Sequence, residues 1–110
     1  MKSSQKISII TPSYNQGNFI EDAILSVMKQ GYSNYEHIII DGGSTDKTLS
    51  ILRKYPHLIW VSEPDEGQTD ALQKALIKVS GDIIGWLNAD DYYEEKTFLK
   101  VINELNVKNL

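Results

Sequence analysis

The chain has 110 residues, 41% hydrophobic and 24% charged, with a formal net charge of −4. That composition suits one small core and one domain. It has no cysteine, which excludes a disulfide framework and a thiolate zinc site, and no basic cluster to bind nucleic acid. The segment Met1–Lys6 leads straight into a strand pattern and lacks the apolar stretch of a signal peptide. No run approaches the roughly 18 apolar residues of a membrane span. The chain therefore reads as cytosolic.

Ile7–Ile10 is a short apolar run that reaches a break at Pro12 and predicts the first strand. Ile20, Ala23, Ile24, Val27 and Met28 recur at helical spacing. Asn18 and Glu21 are placed as an N-cap with its reciprocal partner, and Gly31 as the stop. His37–Ile40 predicts the second strand, ending at Asp41-Gly42-Gly43. Ser44 to Lys54 reads as a short helix with Leu49 and Leu52 inward, stopped by Pro56. Leu58–Val61 predicts the third strand, ending at Ser62-Glu63-Pro64. Thr69 to Ser80 predicts the third helix, with Ala71, Leu72, Ala75, Leu76 and Val79 on one face and Gly81 as its stop. Ile83–Leu87 predicts the fourth strand, and Phe98, Val101, Ile102 and Leu105 mark a fourth helix.

Apolar strands that alternate with helices predict an α/β parallel sheet covered on both faces, with right-handed crossovers. Ligands of such sheets sit beyond the C-terminal strand ends, where strand order reverses. Every unusual polar cluster falls on that edge: Thr11–Asn15, Asp41–Asp46, Glu63–Gln68 and Asn88–Asp91. The last is the most informative, because an apolar run stops dead at Asn88 and two adjacent carboxylates, Asp90 and Asp91. Such like charges repel, and a divalent metal with oxygen ligands settles the pair. The plain alternative is a solvated pair that opens a loop.

The other clusters also carry plain readings. Asp41-Gly42-Gly43 makes a tight turn, or clears room for a ligand beside an acid at a strand tip. Ser44 or Asp46 reads as the N-cap of the second helix. Tyr14 is a half-buried loop aromatic or a stacking platform. Gln68 and Asp70 suit a helix start. His37 and His57 read as surface or packing residues, and Trp60 and Trp86 as core.

Together, Ile9–Gln16, Ile38–Thr48 and Gly81–Asp91 resemble, in order and spacing, the donor-binding half of glycosyltransferase family 2. The resemblance covers essentially the whole chain. It implies the GT-A (Rossmann-like) fold: a parallel sheet of about four strands with helices on both faces, here truncated. Residues 1–110 would form the nucleotide-sugar-binding half, with the acceptor half absent. The implied activity is glycosyl transfer from a nucleotide-diphosphate sugar, UDP-sugar favoured, in polysaccharide or glycoconjugate synthesis. It is expected to be inverting and dependent on Mn2+ or Mg2+. By carry-over, Pro12 and Tyr14 pack on the base, Asp41 bonds the uracil or ribose, and Asp90 and Asp91 hold the metal.

Two positions depart from the family pattern. Asn88 replaces the first acid of the Asp-x-Asp motif, leaving a ribose contact without charge. Ala71-Leu72-Gln73 stands where an Ala-Arg-Asn segment is common, so Gln68 or Asp70 is expected to face the donor instead. The resemblance places the general base beyond Leu110, so the chain alone is expected to bind donor without turnover. A stand-alone nucleotide-sugar-binding module is the second reading. A phosphoacceptor signalling domain fits poorly, because the first strand ends in Pro12-Ser13-Tyr14 rather than an acidic pair. A cytoplasmic location follows, with peripheral attachment of the full-length enzyme at the inner face of the membrane. Self-association through an uncovered sheet edge is also expected.

Overall fold

The structure, a computed structural model, describes residues 5–64 and 68–108; of residues 68–69 and 104–108 it describes the backbone only. The elements run β1 (Ile7–Ser13), α1 (Ile20–Met28), β2 (Tyr35–Asp41), α2 (Thr48–Leu52), β3 (Ile59–Ser62), α3 (Gln68–Lys78), β4 (Ile83–Trp86) and α4 (Thr97–Lys108). The four strands form one parallel sheet in the order β3-β2-β1-β4. Its two central strands are apolar on both faces, and Ile9, Ile10, Ile38, Ile39 and Ile40 are all buried. The α3 helix covers one face through Ala71 and Ala75 against Ile10, Ile38 and Ile40. Helices α1, α2 and α4 cover the other, through residues such as Ala23, Ile24, Ile51, Phe98 and Ile102.

Packing rather than capping holds α1. Ile20, Ala23, Ile24 and Val27 have no exposed surface, and burying each isoleucine is worth about 1.5–3 kcal/mol. Asn18 does not cap this helix. The Ncap residue is Phe19, which makes no side-chain cap bond. Instead the amides of Phe19 and Ile20 both donate to the Gln16 carbonyl, at 2.9 and 2.8 Å. Glu21 turns away to accept the Tyr55 hydroxyl and to pair with Lys54 at 3.0 Å.

Other expectations are corrected by backbone geometry. The α2 helix is only five residues long. Pro12 does not end β1, which continues to Ser13 opposite Asp41. By strand alternation Pro12 faces β4, on the same side as the Ile10 carbonyl that accepts the Leu87 amide. Having no N–H, it ends the β1–β4 ladder there, and β4 pairs with β1 only as far as Ile10. Gly81 lies beyond the end of α3 and acts by close approach. A Cβ there would lie 2.4 Å from Ser8 Oγ and 2.8 Å from the Lys6 carbonyl oxygen.

The apolar face of α3 is narrower than its sequence pattern, since Leu72 and Leu76 are exposed. Trp86 is exposed rather than core, at 38%. Its strand β4 forms one sheet edge, with Ile84 also exposed. The side chain of Leu105 lies outside the described residues.

His37 is fully buried in mid-β2. Its Nε2 lies 2.8 Å from Thr11 Oγ1, while Nδ1 has no partner among the described residues. A bare lone pair costs less than an orphaned donor, which assigns the proton to Nε2. Burial, with a smaller contribution from His57, pushes the imidazole down to about 3.

Candidate functional site

Strands β1, β2 and β3 succeed one another to one side, and β4 then returns to the other side of β1. The order therefore reverses between β1 and β4, which in sheets of this kind places the ligand crevice beyond their C-terminal ends. Two short segments flank it: Tyr14–Asn18 after β1, and Asn88–Asp91 after β4. The Pro12 break keeps the second from zipping onto the first.

The β4 side is open and polar. Asn88, Asp90 and Asp91 are exposed, while Ala89 between them is buried. Asn88 Oδ1 accepts the Trp86 indole N–H at 3.1 Å, and its carbonyl accepts the Asp91 amide at 3.0 Å. Asp91 Oδ1 accepts the Tyr92 amide at 2.8 Å. Asp90 and Asp91 thus offer two carboxylates to solvent. Among the described residues no group of three or more acids or histidines gathers to hold an ion alone. Two carboxylates suit a hard cation that completes its shell with water and substrate phosphates.

A second grip steadies the segment that follows. Ser26 Oγ accepts the Tyr93 amide at 3.0 Å. Gln30, buried, donates to the carbonyls of Ser26 and Glu94 and accepts the Phe98 amide at 3.0 Å. Ser26 in the last turn of α1 and Gln30 just past its end thereby tie down the start of α4.

On the β1 side, Pro12 is half-buried and Tyr14 presents an exposed ring, at 58%. Asp41 behaves differently from the expectation that it bonds a base or ribose. It has no exposed surface, and both its oxygens are taken. Oδ1 accepts the hydroxyls of Ser13 at 3.0 Å and Ser44 at 2.5 Å. Oδ2 accepts the amides of Gly43 at 3.1 Å and Ser44 at 2.7 Å and the Ser62 hydroxyl at 2.8 Å. With five donors on one buried carboxylate, no oxygen remains to face a ligand. Gly43, at φ +90°, makes the turn that brings these amides round.

Neither Ser44 nor Asp46 is the N-cap of α2: that position is Lys47, which makes no side-chain cap bond, and Asp46, one residue earlier, accepts the Thr48 hydroxyl and amide at the helix entry. These bonds hold its carboxyl below the ordinary carboxylate range. It also accepts the Gly17 amide at 2.9 Å.

Around the third strand end, Asp70 lies 3.5 Å from Lys74, which also reaches Glu63 and the Pro64 carbonyl. The loop Asp65–Gly67 and the Gln68 side chain lie outside the described residues. His57 is exposed and meets Tyr35 and Tyr55 edge-on, away from the crevice.

The family model of glycosyl transferase family 2 matches residues 8–109. The chain belongs to glycosyltransferase family 2. It is 37% identical over 95 residues to the putative teichuronic acid biosynthesis glycosyltransferase TuaG of Bacillus subtilis, covering 81% of this chain and 37% of that protein. The structure superposes on S. aureus TarS 1-349 in complex with UDP-GlcNAc with a TM-score of 0.79 and 28% identity, covering 94% of this chain and 31% of that one. It superposes equally on the mannosyltransferase PcManGT of Pyrobaculum calidifontis, solved with GDP-Man and Mn2+, at 0.79 and 28%, covering 89% and 31%. The chain thus spans about a third of the length of these relatives, and its sheet and flanking helices are the GT-A arrangement.

Several residues that build this family 2 site were missed in the sequence. Ser13 and Ser62 matter only because strand register sets them on either side of Asp41. Asn15 carried a faint signal, since asparagine is among the few residues that accept positive φ, here +52°. Gln30 carried none, lying just past a helix end.

Proposed function

We propose that this chain binds a nucleotide-diphosphate sugar together with Mn2+ or Mg2+, and that the whole protein transfers the glycosyl group to an acceptor with inversion. The observation that carries the reading is a juxtaposition. An exposed aromatic, Tyr14, and an exposed carboxylate pair, Asp90 and Asp91, follow the two strands between which strand order reverses. Tyr14 and Pro12 offer apolar surface to the base. Asn88 would offer an amide to the ribose, and Gln68 and Asp70, at the start of α3, are assigned to the donor in the same proposal. Asp90 and Asp91 would hold the divalent ion, which supplies charge stabilisation to the diphosphate leaving group. Relatives solved with UDP-GlcNAc and with GDP-Man and Mn2+ support a nucleotide-sugar donor.

The general base belongs, in this proposal, to the part of the relatives' length that this chain does not span. Residues 1–110 are then the donor-binding half, and bind without turnover. A cytoplasmic location, with attachment of the whole enzyme at the inner membrane face, completes the reading. Among the described residues no helix is long and apolar enough to cross a membrane. A role in cell-envelope polysaccharide synthesis is supported by the similarity to TuaG. Self-association through the exposed edge of β4 is part of the same proposal. Calorimetric titration of UDP with and without Mn2+ tests it. Clearly tighter binding with metal is expected, and equal affinity in both conditions would sink the metal role.

A further inference from the structure

Tyr14 is exposed just beyond the end of β1, while the residues on both sides of it are pinned. Ser13, before it, donates its hydroxyl directly to Asp41 Oδ1 at 3.0 Å. Asn15, after it, donates its amide to Ser44 Oγ at 2.8 Å, and Ser44 Oγ donates onward to the same Asp41 oxygen at 2.5 Å. The Asn15 side chain closes the grip: its Oδ1 accepts the amides of Thr45 at 2.8 Å and Asp46 at 3.3 Å. Asn15 stands at φ +52°, a backbone state that needs such outside support. Asp41 itself is anchored from the far side by Ser62 of β3. A single buried carboxylate thus joins the ends of three neighbouring strands, and the backbone around Tyr14 is built on it.

We propose that Asp41 is a positioning residue for Tyr14, acting through Ser13 and Ser44, and not a nucleotide ligand. This rests on the reading that Tyr14 receives the base. A platform whose backbone is fixed in advance loses little freedom when the base stacks, so rigidity there contributes to affinity. Remove the link, and Tyr14 must be ordered by the ligand itself.

A double-mutant cycle separates this role from direct contact. UDP affinity in the presence of Mn2+ is measured for the wild type, Tyr14→Ala, Ser44→Ala and the double variant. Tyr14→Ala should weaken binding by about fivefold to a hundredfold, the range for a lost base–aromatic stack. Ser44→Ala should weaken it by about threefold or more, the scale of one hydrogen bond, and should add nothing once Tyr14 is alanine. Ser44→Thr keeps the hydroxyl and should restore wild-type affinity. Asp41→Asn, if it folds, should likewise be silent in the Tyr14→Ala background; if it does not fold, the Ser44 cycle decides alone. Additive effects of Ser44 and Tyr14, or an unchanged Ser44→Ala, would overturn the positioning role while leaving the donor site intact. Unchanged affinity in Tyr14→Ala, or no UDP binding by the wild type, would overturn the base-platform reading and this proposal with it.

Discussion

Replacing His37 by leucine should flatten the acid limb of the stability curve. The neutral ring is buried on β2, with Nε2 bonded to Thr11 of β1. Protonation would add an N–H at Nδ1, where no acceptor waits among the described residues. The folded ring titrates at about 3, against 6.5 ordinarily. Between those values the unfolded chain binds the proton and the folded chain does not, so stability falls as pH drops below 6.5. With each unit worth about 1.4 kcal/mol, the loss on going from pH 7 to pH 5 is about 2 kcal/mol. Leucine abolishes that loss but leaves the Thr11 hydroxyl without its partner, at a cost of about 1 kcal/mol. The variant should therefore be less stable than the wild type at pH 7 and more stable at pH 5. Urea melts at the two pH values measure both differences. Parallel pH dependence in the two proteins would refute the assignment of a buried, neutral His37.

Gly81→Ala should cost about 3 kcal/mol, because its Cβ would meet the backbone of Lys6 and Ser8 at 2.8 and 2.9 Å. Gly31→Ala, where only φ +73° opposes the change, should cost about 1 kcal/mol. Thermal melts of the two variants should keep that order. Gln30→Met strips three backbone groups of their amide partner and should destabilise the chain by about 3 kcal/mol. Hydrogen exchange should then quicken at the amide of Phe98 and leave that of Ile39 slow.

The fold was legible because two signals agree along the chain. Ile38-Ile39-Ile40 is too apolar for a half-exposed strand, and Ile20, Ala23, Ile24 and Val27 mark one helical stripe; both follow from local periodicity. The edge that carries the site was legible for the same reason, since strand ends follow from strands. What each residue does at that edge was less so. Asp41 looks like a ligand in a linear reading, and only the register with Ser13 and Ser62 reveals a buried, saturated carboxylate. The Pro12 effect depends on which neighbour its missing N–H would face. Capping by Asn18 was a sound local inference, overridden because the Gln16 carbonyl closes the first turn of a helix already held by packing.

The central claim is that Asp90 and Asp91 present a divalent ion to the donor's diphosphate. Its most direct test is the Mn2+-dependent gain in UDP affinity, compared between the wild type and Asp90→Ala. Asp90 is exposed, so the variant should fold and melt like the wild type. It should keep the metal-free affinity and lose the gain that Mn2+ gives the wild type. A gain of the same size in Asp90→Ala would contradict the account.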